Sequence, residues 1–178
     1  MIETKIVNVV ATATLNQQMD LVGLKQFREI IHDSDVYGGS VAYFQTSTMT
    51  GKVSIFNSGK LISVGTKSEE EAVNELELAK DFLIEKGLIK SVAIHPKTRN
   101  IVISTDFENF VDLENLAYQD MVIYEPEQFP GAILKIYKPH KTTVLIFASG
   151  KTVITGLTNT NQIQTIIKIV KKLLKELI

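Results

Sequence analysis

The chain has 178 residues, of which 44% are hydrophobic and 22% charged, so it can build a packed core and is not a disordered chain. It contains no cysteine, which excludes disulfides, thiol catalysis and cysteine-ligated zinc sites. The chain has 19 Lys and Arg against 20 Asp and Glu, and this net charge of −1 lacks the basic excess typical of nucleic-acid-binding proteins. Any site for nucleic acid must therefore come from the local placement of lysines.

The first half of the chain predicts a strand, a helix and a three-stranded meander. Residues 5–14 are β-branched and apolar, which is typical of a buried strand. Apolar residues recur at helical spacing from Asp20, a good N-cap residue, to His32, and predict a helix. Turns at Gly51 and Ser58-Gly59 then separate three predicted strands, at 40–46, 52–57 and 60–65.

A long helix closes the first half. Ser68 and Glu71 have the spacing of a capping box, in which the serine caps the helix and the glutamate occupies its third position. Apolar residues then recur on one stripe, and Gly87 ends the helix. This stripe predicts a helix that packs one face against the sheet.

The second half repeats this order. A short helix is predicted to start near Asp112, and a final helix to run from about Asn161 to Leu177. The predicted strands are 99–105, 131–138, 142–148 and 151–156. The final helix places four lysines on its outer face, which is either a solvated surface or a nucleic-acid contact: Lys168, Lys171, Lys172 and Lys175.

Matched spacings indicate that the chain is a duplication. Asn8 and Asn100 are each followed after twelve residues by Asp-Leu, and the aromatics Tyr37 and Phe129 follow those aspartates after seventeen. Residues 55–60 and 146–151 share the pattern Ile-Phe-x-Ser-Gly-Lys. We therefore predict two repeats, residues 1–92 and 93–178. The offset between them is 92 early in the repeat and 91 late.

Two such units favour an α+β fold with one long antiparallel sheet, joined edge to edge. The helices would cover one face of that sheet and leave the other bare. A face that the chain does not cover itself indicates a binding surface.

The blocks Tyr-Glu-Pro-Glu-Gln-Phe-Pro-Gly (124–131) and Leu-Ile-Phe-Ala-Ser-Gly-Lys (145–151) resemble the TATA-box-binding protein family. The resemblance covers almost the whole chain and is closer to a somewhat diverged archaeal member than to a eukaryotic one. It implies two tandem pseudo-symmetric repeats forming a saddle-shaped antiparallel sheet, with helices on the convex face. The partner it implies is the minor groove of A/T-rich promoter DNA.

The resemblance also implies aromatic wedges that enter between base steps, at Tyr37 with Phe56 and at Phe129 with Phe147. Without the resemblance, Phe56 and Phe147 would be interpreted as core residues of strands. Tyr37 departs from the family's phenylalanine, and the surrounding Asp35-to-Ser40 segment lacks the Pro-Glu-x-Phe-Pro signature. We therefore expect weaker or altered kinking at the end formed by the first repeat.

In the family's geometry, Asn8 and Asn100 lie near the centre of the interface, where an amide donates to the adenine N3 and thymine O2 acceptors. Thr155 helps at the central step, and its counterpart Val64 has no hydroxyl. Bulky side chains would form the floor and disfavour the guanine amino group; they are Val10, Ile62, Val64, Val102 and Val153.

Phosphate contacts are implied for Lys60, Lys67, Lys135 and Lys151. The family's arginine after the first wedge is interpreted as Tyr43 here, and the second-repeat counterpart of Lys67 is Thr158. We therefore expect a smaller electrostatic contribution than is usual in the family.

The loop with Glu125, Glu127 and Gln128 matches the stirrup by which the family holds transcription factor B, and through it the RNA polymerase assembly. Two prolines beside these residues would present them rigidly to a basic partner. The plain alternative for this segment is a solvated turn.

No enzyme, metal site or cofactor is expected. The three histidines lack metal-ligand spacing, and no glycine-rich phosphate loop follows a strand. With no membrane span or signal sequence in view, we expect a cytoplasmic, nucleoid-associated protein. The alternative function is that of a diverged paralogue acting mainly as a protein-interaction module. An uncovered sheet face could also self-associate when DNA is absent.

Overall fold

A computed structural model describes residues 3–33, 35 and 37–175 of the chain, apart from the side chain of Tyr37. The strands lie at β1 Thr4–Thr14, β2 Ile30–Ile31, β3 Val41–Phe44, β4 Lys52–Phe56, β5 Lys60–Thr66, β6 Lys97–Asp106, β7 Val122–Ile123, β8 Ala132–Ile136, β9 Thr142–Ile146 and β10 Lys151–Leu157. The helices lie at α1 Leu21–Leu24, α2 Glu69–Glu85, α3 Leu113–Leu116 and α4 Ile163–Lys175. Two 3-10 turns lie at Tyr37–Gly39 and Thr160–Gln162.

The chain forms two compact units. The first unit is Asn8–Arg99, and the second consists of the described parts of residues 1–7 and 100–178. The first has the strand order β2-β3-β4-β5-β1, and the second β6-β10-β9-β8-β7. The strand pairs whose registers are resolved within these units are antiparallel, and the predicted α+β class is confirmed. The repeat boundary between residues 92 and 93 stays a prediction.

The helix predicted from Asp20 to His32 is wrong over most of its length. The Asp20 carboxylate accepts hydrogen bonds from the Val22 and Gly23 amides, as an N-cap should, but the helix ends at Leu24. Ile30 then pairs with Phe44 as part of β2, because the exposed edge of β3 offers sheet hydrogen bonds to the segment. The predicted strands agree with the structure to within two residues at each end.

The capping residues of the two long helices show the duplication in atomic detail. Ser68 accepts from the Glu71 amide at 3.0 Å, and the Glu71 carboxylate accepts from the Lys67 amide at 2.8 Å. The predicted cap is therefore confirmed, although the glutamate reaches Lys67 rather than Ser68. In the second unit, Gln162 accepts from the Thr158 amide at 2.9 Å, 91 residues after the first pair.

The long helix of the first unit defines the two faces of its strands. Helix α2 packs on β4 and β5, and its buried Glu75 accepts from the Gly51 amide at 2.7 Å and the Ser63 hydroxyl at 3.2 Å. Ser63 therefore points toward the helix. Because side chains alternate along a strand, Ile62 and Val64 point to the opposite face.

The strand pairings fix which positions of the two units correspond. The equivalent ladders are Ile30–Phe44–Val53 and Val122–Leu134–Val144. Phe44 and Leu134 therefore occupy the same position, 90 residues apart, while the strands on either side differ by 92 and 91. The sequence predicted one change of offset, and the structure has two, which enclose β3 and its counterpart β8.

Candidate nucleic-acid interface

Each unit has a sheet face, opposite its buried core residues, that carries half-buried side chains. In the first unit Val10 pairs with Val64, and Ser54 pairs with Ile62. In the second, Val153 pairs with both Ser104 and Leu145. These open faces carry the predicted minor-groove residues, all of them half-buried: Asn8, Val10, Ile62 and Val64 in the first unit, and Asn100, Val102, Val153 and Thr155 in the second.

The two asparagines are locked in the same orientation. The side-chain oxygen of Asn8 accepts from the Gly65 amide at 2.8 Å, and that of Asn100 accepts from the Gly156 amide at 2.7 Å. Both glycines have a φ of 99°, a left-handed conformation that turns the amide toward the side chain. Because each carbonyl oxygen is committed to an amide, the NH₂ group is the part left to donate outward.

The two asparagine sites differ by one hydrogen bond. The Thr155 hydroxyl donates to the Asn100 oxygen at 3.1 Å, so this oxygen has two donors. The corresponding residue of the first unit, Val64, has no hydroxyl. Asn100 is therefore held more firmly than Asn8.

The second unit carries an aromatic pair. The rings of Phe129 and Phe147 lie edge to face, with centroids 5.8 Å apart, and both are half-buried. Gly131 lies against both rings: a Cβ there would be 2.9 Å from Phe129 Cε1 and 3.2 Å from Phe147 Cε1. A side chain at position 131 would therefore require the Phe129 ring, and to a smaller extent the Phe147 ring, to shift.

In the first unit, Phe56 borders an open apolar concavity of about 390 Å³. The other lining residues come from β3 to β5 and the residue before them: Ser40, Val41, Tyr43, Ser54, Ile62 and Val64. Phe56 is half-buried on the open face, as Phe147 is in the second unit.

The strand registers on the two sides of this loop give different counterparts for Phe129. Counting on from the equivalent residues Ile31 and Ile123 gives Tyr37, and counting back from Phe44 and Leu134 gives Gly39, because the loop is two residues longer in the first unit. Gly39 has a φ of 71°, and its carbonyl is 2.8 Å from His32 Nε2. The side chain of Tyr37 lies outside the described part of the structure, so its predicted role as a wedge stays a prediction.

The same register revises the counterpart of Lys135. It is Gln45 rather than Tyr43, because Gln45 follows Phe44 as Lys135 follows Leu134. The backbone bonds agree: the Gln45 amide donates to Glu29, and the Lys135 amide donates to Met121. Tyr43 instead lies beneath the Lys52 ammonium, 4.5 Å from the ring centroid.

The four predicted phosphate-binding lysines are exposed. Lys60 and Lys151 begin β5 and β10 directly after the Ser-Gly turns. Lys67 precedes the α2 cap, and Lys135 lies in β8 opposite Thr143. Lys60, Lys135 and Lys151 therefore present their side chains at the surface, where an anionic ligand can reach them.

Sequence reasoning missed a basic groove in the first unit. His95, Lys97 and Arg99 lie with Lys60 around a concavity of about 450 Å³. The Arg99 Nε donates to the Thr12 hydroxyl at 2.9 Å, which holds the guanidinium along the groove. Alternation of lysine and arginine along a predicted strand could have indicated this cluster.

The corresponding groove of the second unit has mixed charge. Lys5 and Lys151 share a concavity of about 260 Å³ with Glu3 and Asp106. Lys5 forms a 2.8 Å ion pair with Glu3, so part of its charge is neutralised. The two grooves are equivalent in position and differ in charge.

The loop predicted to contact a protein partner is exposed and ordered by its own backbone. Glu125, Glu127 and Gln128 are all exposed. The Glu125 carbonyl accepts from the Gln128 and Phe129 amides, at 2.9 and 3.0 Å. The turn thus links the loop directly to Phe129, a predicted wedge residue.

Among residues 3–33, 35 and 37–175, no group of three or more His, Asp or Glu side chains is arranged to hold a metal ion. The helices in this part of the chain include none long and apolar enough to cross a membrane. Hydrogen bonds from Lys80 to Glu77 and Asp81 raise the pKa of that ammonium, on helix α2 and away from the open face.

Comparison with known proteins gives a consistent result. Residues 3–84 and 95–177 match the family model described as transcription factor TFIID, or TATA-binding protein. A TATA-box-binding protein of Aeropyrum pernix is 34% identical over 98% of this chain and 85% of its own length. One from Cenarchaeum symbiosum is 34% identical over 90% and 87%. The structure of the Methanococcus jannaschii TBP matches with a TM-score of 0.84 and 31% identity, covering 98% of this chain and 99% of that one.

Proposed function

We propose a function for this chain from the premise that it belongs to the TATA-binding protein (TBP) family. It acts as a transcription initiation factor that binds the minor groove of A/T-rich, TATA-box promoter DNA. The observation that carries this proposal is the pair of locked asparagines on half-buried apolar faces.

The asparagine geometry suits the minor groove of A·T pairs. That groove presents the adenine N3 and thymine O2 acceptors, which an outward NH₂ group can satisfy in either base orientation. A G·C pair adds an amino group, which would meet the NH₂ group and the branched side chains around it. Val10, Ile62 and Val64 lie on the same open face as Asn8, and Val102, Val153 and Thr155 lie on the same open face as Asn100. This arrangement supports a preference for A/T-rich DNA without reading of individual bases.

Aromatic insertion supplies the bend. Phe129 and Phe147 wedge at one end and Phe56 at the other, where Tyr37 is the further candidate ring. Among minor-groove proteins that insert apolar wedges, a group that includes the TATA-box-binding proteins themselves, unstacking costs a few kcal/mol per step. A flat ring offsets part of this cost by stacking on the separated base.

Lys60, Lys67, Lys135 and Lys151 contact phosphates in this proposal. Their exposure and their places at strand starts and helix caps suit backbone neutralisation, which contributes affinity without sequence information. The basic groove of Lys97 and Arg99 extends the contact of Lys60 along the first unit.

Glu125, Glu127 and Gln128 hold transcription factor B, which brings the RNA polymerase assembly. The exposed carboxylates complement a basic partner surface. We expect Glu125→Arg to reduce factor B recruitment to the promoter complex about tenfold while leaving binary DNA binding intact. A supershift titration checks this; unchanged recruitment would refute the assignment.

We further propose that the two repeats meet between residues 92 and 93. The protein works in the cytoplasm, at the nucleoid.

Two departures favour a second candidate, a diverged paralogue that mainly binds proteins. The loop between β2 and β3 is two residues longer than its counterpart and has glycine at both 38 and 39, and the register puts Gln45 at the position of Lys135. Both changes weaken the DNA contacts of the first unit.

Asn100→Asp separates the two functions. The aspartate keeps an oxygen for the Gly156 amide and the Thr155 hydroxyl, so the fold is retained. It replaces the donor NH₂ with an acceptor that faces base acceptors, and we expect a loss of DNA affinity of about 100-fold. Fluorescence anisotropy with an A/T-rich duplex measures this loss.

Asn74→Asp is the matched control, since it makes the same change of charge at an exposed position on α2. Its affinity should equal that of the parent protein within about twofold. Equal affinity for Asn100→Asp and Asn74→Asp, or a parent protein that leaves the duplex unbent, would favour the protein-interaction module instead.

A further inference from the structure

An apolar groove in the second unit is lined by none of the residues proposed to contact DNA. It lies between β8 and α4, has a volume of about 320 Å³, and is lined by Met121, Leu134, Ile136, Tyr137, Ile169 and Leu173, with Lys138 at its rim. Two of its side chains are open to solvent: Tyr137 is 60% exposed and Met121 49%. Exposed apolar surface in such a concave setting is typical of an interaction site.

In the first unit, aromatic side chains of the chain itself fill the equivalent space. There the Phe82 ring lies 4.9 Å from that of Phe44 and 5.5 Å from that of Phe27. The helix caps set the helix offset at 91, so Phe82 corresponds to Leu173. The strand register pairs Phe44 with Leu134.

Both ring positions therefore carry leucine in the second unit. A leucine lacks the ring atoms that close the space in the first unit. Phe27 corresponds to Gln119, which is exposed and contributes no ring either. The groove is thus a specific difference between two copies of the same element pair, rather than a general feature of the fold.

Lysines predominate in the segments that form the groove. Helix α4 has four lysines and no acidic residue, and the segment 132–146 has three lysines and none. Asp120 is the one acidic residue next in sequence to a lining residue. Helix α2 of the first unit has the opposite character, with three glutamates in its first turn alone.

We propose that this groove binds an acidic amphipathic segment of a partner protein. Apolar side chains on one face of that segment would fill the space between Leu134 and Leu173 and cover Tyr137. Its carboxylates would face Lys138 and the lysines of α4, where complementary charge speeds association and selects the partner. Nucleic acid shares the charge preference but has no apolar side chains to fill the groove.

A designed peptide tests the proposal. It carries leucines at positions i, i+3, i+4 and i+7, glutamates elsewhere and a fluorescein label; its control has lysines in place of the glutamates. We expect the acidic peptide to bind the full chain more tightly than about 1 mM, and the basic control not to bind. Amide chemical-shift changes should cluster at Met121, Ile136 and Ile169.

Two variants assign the binding to the groove. Leu173→Phe places the first unit's own residue in the groove and should weaken the peptide at least about tenfold. Lys138→Glu should weaken it several-fold through charge alone, while Lys90→Glu, the same change at an exposed site of the first unit, should have no effect. Both groove variants keep the DNA affinity of the parent protein.

Three results would overturn the proposal. The first is failure of the acidic peptide to bind. The second is equal binding by the parent, Leu173→Phe and Lys138→Glu proteins. The third is a Lys138→Glu protein that loses duplex affinity or self-association in sedimentation while its peptide binding is unchanged, since the surface would then serve DNA or a second copy of the chain.

Discussion

The two units repeat one backbone and differ in what they place on it. Both lock an asparagine with a glycine of φ 99°, and both cap their long helix through a side chain four residues ahead. Away from these backbone contacts, the first unit has a basic groove and an acidic helix. The second has a groove of mixed charge, a basic helix and a paired set of rings.

This contrast teaches which residues the fold requires. Gly59 and Gly150 turn tightly against Gln17 and Asn109, where a Cβ would come within 2.0 and 2.5 Å of a carbonyl oxygen. Such positions tolerate no side chain, so both copies keep glycine there. Exposed lysines, glutamates and groove residues make no comparable backbone contact, so they are free to specialise each unit.

The largest difference should appear in bending. We expect the Phe129→Ala, Phe147→Ala double variant to lose about 100-fold in DNA affinity and most of the bend, since each stacked ring contributes about 1–3 kcal/mol. Phe56→Ala should lose about tenfold, because one ring is removed. Energy transfer between dyes at the ends of an A/T-rich duplex measures the bend.

Phe110→Ala is the control, since that ring is 76% exposed and lies in the loop before α3, outside the residues proposed to insert into DNA. It should bend DNA as the parent protein does. A double variant with unchanged bending would show that the rings of the second unit are not wedges.

A smaller difference should appear in the salt dependence of binding. Arg99→Gln should lower the slope of log affinity against log salt by about 0.9, the value for one lost phosphate contact. Lys5 lies in the equivalent groove of the second unit, at the position that corresponds to Lys97. Lys5→Gln should lower the slope less, because Lys5 is already paired with Glu3. Binding titrations at several salt concentrations compare the slopes of the two variants with that of the parent protein. If the Arg99→Gln slope equals that of the parent protein, the basic groove does not contact DNA.

The smallest expected effect concerns the threonine beside Asn100. Thr155→Val should weaken DNA binding several-fold by removing a hydrogen bond of about 0.5–1.5 kcal/mol that orients the amide. Val64→Thr would add the missing hydroxyl beside Asn8 and should strengthen binding by a similar factor. If the two variants shift the dissociation constant in the same direction, the orienting role is wrong.

Sequence reasoning predicted elements whose patterns are local. The cap at Ser68, the turns at the Ser-Gly pairs and the alternation of β5 depend on a few adjacent residues, and the structure confirms them. The short helix was overextended because the apolar spacing of residues 20–32 does not reveal that Ile30 pairs with Phe44. That pairing depends on a strand more than ten residues away.

The offset predicted for β3 and β8 was wrong for the same reason. Counting residues gave an offset of 92, whereas hydrogen bonds between strands give 90 for β3 and β8. Arg99 and Lys97 were missed because they enter the site only when β6 lies beside Thr12. The uses of Asn8, Asn100 and the rings in binding DNA are not tested by the fold and stay proposals.

Gly131 has a consequence for how the second unit can evolve. Because Gly131 has no side chain, the rings of Phe129 and Phe147 can lie close to its backbone. Even a methyl group at this position would press against both rings. A substitution at this one position would thereby affect the placement of two aromatic rings, which lie two and sixteen positions away along the chain. The arrangement of the two rings is therefore coupled to the absence of a Cβ atom at position 131.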